Sequence, residues 1–412
     1  MLYYGILLSF FLEYVRPVKF VPFLSVLHLN SVIPVGVALL SFRNNKIISN
    51  VEFFKLSNTK YILIFLGLIG VGILWVDVKL YVWLKFINVL GWFFIYLAIV
   101  KNVDGEKGLA GIFVVLILCH LILLILTPDL IFHPEVRTVV TQESFLGDGN
   151  DFALSLNIVI PFCIYLFYKS KSKSLKLFYI GLTILFVLAI IGTSSRGGSI
   201  ALVVVLFYQW LKGKNKFVGL AGIVILISIV SLFAPPTYFE RMGTITSYET
   251  EGSAQGRIMA WKSALRMVAD HPLTGVGAGH FPVKYGAEYR PPGIGRTEIP
   301  WSTAHSVYFL VLGELGIPGI LVCLALILPN LVRNEKVMRI LASKKDTEVR
   351  LLDKRLFVCL NSSMIGFAVG GVFLSAIYYP HLYVLAGLME VGRYQYQRRQ
   401  IIDDSGLFPA IL

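Results

Sequence analysis

The sequence predicts an all-α polytopic membrane protein of about twelve transmembrane helices, interrupted once by a helical loop. Three observations carry that prediction. Hydrophobic residues make up 56% of the 412-residue chain and charged residues only 15%, too little charge to cover a soluble surface. Apolar stretches close to the roughly 20 residues needed to cross a bilayer recur along the chain. Lysines and arginines gather in clusters that all fall on one side when the spans between them are counted.

The spans lie near residues 2–14, 22–41, 60–77, 80–100, 108–128, 152–168, 176–193, 197–211, 217–234, 304–330, 356–377 and 379–392. The first two and the last are short or interrupted. Arg43, Lys46, Lys55 and Lys60 follow the second span, and Lys169, Lys171, Lys173 and Lys176 fill the turn after the sixth. Lys212, Lys214 and Lys216 come next. Then follow the run from Arg333 to Arg355 and, near the end, Arg393, Arg398 and Arg399. All mark the cytoplasmic side, which places both termini there. The opposite, exported side receives the loop 129–151, the turn at Arg196, the loop 235–303 and the turn Tyr378-Tyr379-Pro380-His381.

The chain divides into residues 1–234 with nine spans, 235–303 as a large exported loop, and 304–412 with three spans and a tail. The net charge of +13 is explained by topology and does not point to nucleic acid. Cys119, Cys163, Cys323 and Cys359 all fall inside apolar spans and read as small core residues. Met1 to Leu12 lacks the basic start and small-residue cleavage site of a signal peptide. No internal repeat of the kind found in many transporters is visible.

The exported loop holds Arg241, Arg257, Arg266, Arg290 and Arg296, and Arg196 sits in the short turn Thr193-Ser-Ser-Arg196-Gly-Gly. Such residues are costly near lipid. A helix is expected from Gly256 to Pro272, with Ile258, Trp261, Leu265 and Val268 as its apolar stripe and Arg257 in its first turn. Arg196 likewise opens the span 197–211. A cation at a helix N-terminus opposes the helix dipole unless an anion shares the site. Two guanidinium groups with exposed backbone N–H groups suit a phosphate or diphosphate. The alternative is that both arginines pair with carboxylates or snorkel.

Thr274-Gly-Val-Gly-Ala-Gly-His280 resembles a nucleotide loop, but no strand precedes it, so it reads as a tight loop with close backbone packing. His305, at the mouth of the span 304–330, is the general-base candidate; a structural histidine at an interface is the alternative. Glu314, nine residues on, lies half a helical turn out of phase and cannot pair with His305 on one straight helix. It either makes a packing hydrogen bond or serves the site. Asp148, Asn150 and Asp151 cap the span 152–168, with sugar binding as a second reading for Asn150 and Asp151. Arg290 and Arg296 are further candidates for substrate contact. His133, His271, His280 and His381 lack metal-ligand spacing, so no metal or other cofactor is expected.

These motifs resemble the bacterial O-antigen ligase and O-antigen polymerase superfamily. Four stretches carry the likeness: Gly192-Thr-Ser-Ser-Arg196-Gly-Gly, Gly256-Arg257 with Trp261 and His271-Pro-Leu-Thr-Gly-Val-Gly, Ala304-His305-Ser-Val-Tyr308, and Gly313-Glu314-Leu-Gly-Ile-Pro-Gly319. The opening Met1-Leu-Tyr-Tyr-Gly through Arg16-Pro resembles the branch of O-glycosylation ligases of exopolysaccharide systems. The resemblance implies a type-C glycosyltransferase fold in the bacterial inner membrane with its site on the periplasmic face. It implies transfer of a glycan from undecaprenyl diphosphate to an acceptor hydroxyl, metal-independent and inverting. The acceptor would be a lipid A–core sugar, another repeat unit or a protein side chain. Arg196 and Arg257 would hold the diphosphate, and His305 would serve the acceptor. Many members have His-Asn where this chain has His305-Ser306. A transporter of an anionic or lipid-linked solute is the competing class, but it would need its arginines near mid-membrane.

Overall fold

The computed structural model describes residues 1–132, 145–234, 236–243, 252–290, 302–343 and 347–405. Among them the chain is helical throughout, with no strand. The first seven helices are α1 (Leu2–Val15), α2 (Leu29–Arg43), α3 (Asn50–Lys55), α4 (Ser57–Val71), α5 (Lys79–Asn102), α6 (Gly105–Leu126) and α7 (Asp129–Phe132). Then come α8 (Gly149–Lys169), α9 (Lys173–Gly192), α10 (Arg196–Lys212), α11 (Lys216–Phe233), α12 (Pro236–Gly243), α13 (Gly252–Asp270) and α14 (Phe281–Ala287). The last three are α15 (Val307–Ser343), α16 (Glu348–Gly370) and α17 (His381–Ser405).

The predicted spans coincide in the main with helix, but the span 356–377 leaves it at Gly370, where residues 371–375 form a turn. Seven segments are long and apolar enough on their own to cross a membrane: Pro22–Arg43, Ser57–Leu74, α5, α6, α8, α9 and α15. The fold is therefore that of a polytopic, all-α membrane protein. The helices start where short polar side chains can satisfy free N–H groups. Asp148, Ser172, Ser195 and Thr347 each accept from a first-turn N–H, and Ser49 with Glu52 forms a reciprocal capping box.

The centre of the bundle is α8. Every residue from Phe152 to Cys163 is buried, and the helix packs against α6, α9, α10 and α16. Asn157 inside it donates to the Ala153 and Gly198 carbonyls, both at 2.9 Å, tying α8 to the first turn of α10. The four cysteines are all buried thiols.

The helix ends that carry the basic clusters meet one another. Lys169 pairs with Glu106 at 2.5 Å, Lys212 with Glu335 at 2.7 Å, and Arg399 with Asp353 at 2.6 Å. Beneath them Arg393 reaches Asn330, Asn334 and Glu390, joining α15 to α17. Clusters far apart in sequence thus share one end of the bundle, as the span count requires. The Arg196 turn lies at the other end.

Two further helix expectations change. The predicted span 304–330 continues as helix to Ser343, so part of the basic run from Arg333 extends α15 rather than forming a loop. In α13 the buried residues are Ala260, Ser263, Ala264 and Met267, while Leu265 of the predicted stripe is 51% exposed. Small side chains let α13 approach α15 closely, and that packing overrides the spacing of the larger residues.

Candidate functional site

Three segments converge at the end opposite the basic clusters. The first is the α9–α10 turn. Ser194 there adopts a left-handed conformation, φ 52°, and Ser195 caps α10 by accepting from Gly198 N at 3.1 Å. Arg196 is therefore the first residue of α10, as expected from sequence. The turn is enclosed: Gly149 at the start of α8 abuts Thr193, and Gly197 abuts Phe373 beyond α16.

The second segment leads into α15. His305 also has a left-handed backbone, φ 48°, unusual for a residue with a Cβ. Its ring Nε2 lies 3.3 Å from Ser302 Oγ. Thr303 Oγ1 lies 2.9 Å from Ser375 Oγ, and Val307 N donates to the Gly371 carbonyl at 2.7 Å. The Arg196 turn and the His305 turn thus dock on the same stretch, residues 371–375. Of the four non-glycine residues with positive φ among the described residues, two sit in these two turns. Strain held this way clusters at functional sites because the surroundings must over-determine it.

The third segment is α13. Trp261 Nε1 donates to the Ala304 carbonyl at 2.9 Å, and its ring stacks on Phe309 with centroids 4.9 Å apart. Arg257 precedes Trp261 by four residues, one turn along the same face. It is not in the first turn of its helix as predicted, because α13 begins at Gly252. The dipole argument therefore applies to Arg196 and not to Arg257.

The glycine-rich loop is a backbone dock. Gly316, φ 66°, kinks α15, and Pro318 has no N–H to offer the Glu314 carbonyl. The loop supplies what the broken helix lacks: Val276 N donates to Gly313 O and Gly277 N to Glu314 O, both at 2.9 Å. Ile317 N in turn donates to Pro272 O at 2.8 Å. A side chain on Gly275, φ 59°, would strike the Glu314 carbonyl.

The Glu314 carboxylate accepts from Phe281 N at 3.2 Å and from Tyr378 Oη at 2.5 Å. It knits the loop, α15 and the 378 turn together, which is the packing alternative read from sequence. His280 is buried beside it and accepts from Val78 N through Nε2 at 3.3 Å. Burial holds its imidazole below the usual histidine range, in the neutral form that can accept. Lys284 bridges Glu288 and Asp77, and the Glu288 hydrogen bond holds its ammonium above the usual lysine range.

The remaining candidates are placed as follows. Asp151 hydrogen-bonds with Tyr379, so the start of α8 joins the 378 turn. Asn150 is bound to the Asp148 cap, with its backbone N 2.8 Å and its side-chain amide 2.9 Å from the same oxygen. Arg290 Nε donates to Gly286 O. Arg266 donates to Ser263 Oγ at 3.1 Å and to the Tyr289 carbonyl at 2.8 Å, a structural use. Arg296 and the Arg241 side chain lie outside the described residues.

Sequence reasoning missed residues 371–375 and Ser302, and it noted Ser306 only as the residue that follows His305. The hydroxyl of Ser306 is fully enclosed and has no hydrogen-bond partner among the described residues. Gly370-Gly371 was the available signal for a tight turn at the end of α16.

Residues 181–324 match the family model described as O-antigen ligase. Over that stretch, about a third of its length, the chain is similar to the O-antigen ligase family. The matched stretch runs from α9 into α15 and contains Arg196, Arg257, His305 and Glu314. Asn150, Asp151 and residues 371–375 lie outside it. The superfamily's activity is glycan transfer of the ligase or polymerase type, with a lipid-linked glycan and an acceptor as partners. No curated protein matches the chain.

Proposed function

We propose that this protein transfers a glycan from undecaprenyl diphosphate to an acceptor hydroxyl, a lipid A–core sugar, on the periplasmic face of the bacterial inner membrane. The observation that carries the reading is the shared footing of its two turns. The Arg196 turn and the His305 turn both rest on residues 371–375, and Trp261, one turn after Arg257, holds the carbonyl next to His305.

In this reading the donor's diphosphate lies at the start of α10, against Arg196 and Arg257, with its tail among the helices. His305 takes the proton of the acceptor hydroxyl. The acceptor oxygen attacks the anomeric carbon as the bond from that carbon to the diphosphate oxygen breaks. Negative charge then grows on the leaving diphosphate, where two guanidinium groups and helix N–H groups stabilise it, an effect worth several kcal/mol, on the order of a hundredfold or more in rate. Attack from the face opposite the leaving group inverts the anomeric centre. The diphosphate is already activated, so neither metal nor nucleotide enters the scheme.

The test is complementation of a ligase-deficient Gram-negative strain that carries the cognate glycan locus. Lipopolysaccharide ladders would be compared for wild type, Arg196→Ala, Arg257→Ala and His305→Ala. A ladder restored by wild type and lost in all three variants is the expected result. Loss of a general base alone should cost about 10²–10⁴ in rate. Glycan found on protein or as longer polymer would move the acceptor but keep the chemistry. Full ligation by His305→Ala would remove the base assignment. A well-expressed protein that transfers no glycan would favour the transporter class.

A further inference from the structure

At the basic end of the bundle, away from the site just described, lies a cavity of about 720 Å³ between the ends of α8, α9, α10, α11 and α16. Its size falls within the roughly 300–1,000 Å³ typical of sites that hold a bound small molecule. Its walls are of two kinds. The depth is apolar, formed by residues such as Ile164, Ile184, Leu206, Ile223 and Leu226. The mouth carries Lys212, Lys214, Lys354 and Arg355, and no carboxylate is among the residues that line it.

Arg355 is the distinctive group. Its guanidinium carbon lies over the Tyr168 ring, 3.2 Å from the centroid, and its Nη1 is enclosed with no hydrogen-bond partner among the described residues. An enclosed guanidinium N–H without an acceptor is costly. The Arg355 side chain lines the cavity together with Lys214 and Lys354. Gly222 of α11 also lines the cavity, and a Cβ there would meet only open space.

We infer that this cavity is a binding site for an anionic phospholipid of the leaflet on the lysine-rich side, with the phosphate on Arg355 and the acyl chains in the apolar depth. Four cations over an apolar slot match both halves of such a lipid, and basic pockets between spans on the cytoplasmic side commonly hold anionic head groups. A zwitterionic lipid brings the same chains but no net charge. A free phosphate brings charge but leaves the slot empty. The site tethers α11 to α16 from the side opposite the proposed chemistry.

The experiment uses the full chain in an uncharged detergent, with lipid binding followed by native mass spectrometry. Dioleoyl phosphatidylglycerol and dioleoyl phosphatidylcholine are titrated separately. Wild type should bind the glycerol lipid at least tenfold more tightly than the choline lipid. Arg355→Ala should lose that preference, while Gly222→Leu, which fills the slot but keeps every cation, should weaken both lipids about tenfold. Equal binding of the two lipids by wild type would overturn the inference, as would unchanged binding by a folded Arg355→Ala. If Arg355→Ala does not fold, Arg355→Lys and Gly222→Leu decide: unaltered binding in both overturns it.

Discussion

The two ends of this bundle are built by different means. At the basic end, charges are paired side chain to side chain: Lys169 with Glu106, Lys212 with Glu335, Arg399 with Asp353. At the Arg196 end, much of the order comes from backbone. The glycine loop completes a broken α15, two serine- and histidine-centred turns hold left-handed residues, and a tryptophan binds a carbonyl. Side-chain pairs at a helix end tolerate sliding. Backbone docks fix position closely, which is what the proposed diphosphate and acceptor site would require. The difference teaches that local order at the two ends serves different purposes: anchoring at one, positioning at the other.

The sharpest way to break the comparison is Gly275→Val. The residue has φ 59° and sits against the Glu314 carbonyl, so a branched side chain strikes backbone and undocks the loop. The expected result is loss of glycan transfer by at least about 100-fold, the scale of a misplaced catalytic group. The protein should still insert, because α8 and its neighbours are untouched. Ladders read beside membrane-fraction yield check this. A full ladder from Gly275→Val would mean that the dock does not position the site.

Most of the bundle was legible from sequence because span length and basic clusters are properties of single segments. The predicted spans are helical in the main, save the end of 356–377, and the clusters at Lys169, Lys212, Arg333–Arg355 and Arg393 share one end. The start of α10 at Arg196 followed from one short motif, as did the cap at Asp148. What was not legible depends on partners distant in the chain. Leu265 looks like a core residue on spacing alone, yet α13 turns Ala260, Ala264 and Met267 inward, with Met267 Sδ against Gly313 of α15. The left-handed backbone of Ser194 and His305 has no local signature, since neither is glycine. Residues 371–375 offer one hydroxyl, Ser375, which bonds Thr303; their importance is that two turns rest on them.

A smaller effect separates positioning from bulk. Trp261→Phe keeps the stack on Phe309 but removes the indole N–H that binds Ala304 O. One such hydrogen bond is worth about 1 kcal/mol, so transfer should fall severalfold through kcat, with donor KM unchanged. Trp261→Ala, which also loses the stack, should fall further and destabilise the protein. In vitro transfer rates at varied donor concentration separate the two. Equal rates for wild type and Trp261→Phe would leave the Ala304 contact without a role in catalysis.

The smallest effect belongs to the basic end. Glu335 accepts from Lys212 at 2.7 Å and from Tyr208 Oη at 2.6 Å, and both charged side chains remain about a quarter to a third exposed. Partly solvated pairs of this kind contribute about 0–1 kcal/mol. Glu335→Gln keeps one acceptor for Tyr208 and removes only the charge, so thermal stability should fall slightly and the ladder should stay full. The substitution also leaves Lys212 without its carboxylate at the mouth of the lipid cavity. Binding of phosphatidylglycerol should then strengthen by a small factor while phosphatidylcholine binding stays the same. A ladder lost in Glu335→Gln would break the division between the two ends, because it would show that the chemistry depends on charge pairing at the end where no transfer is proposed.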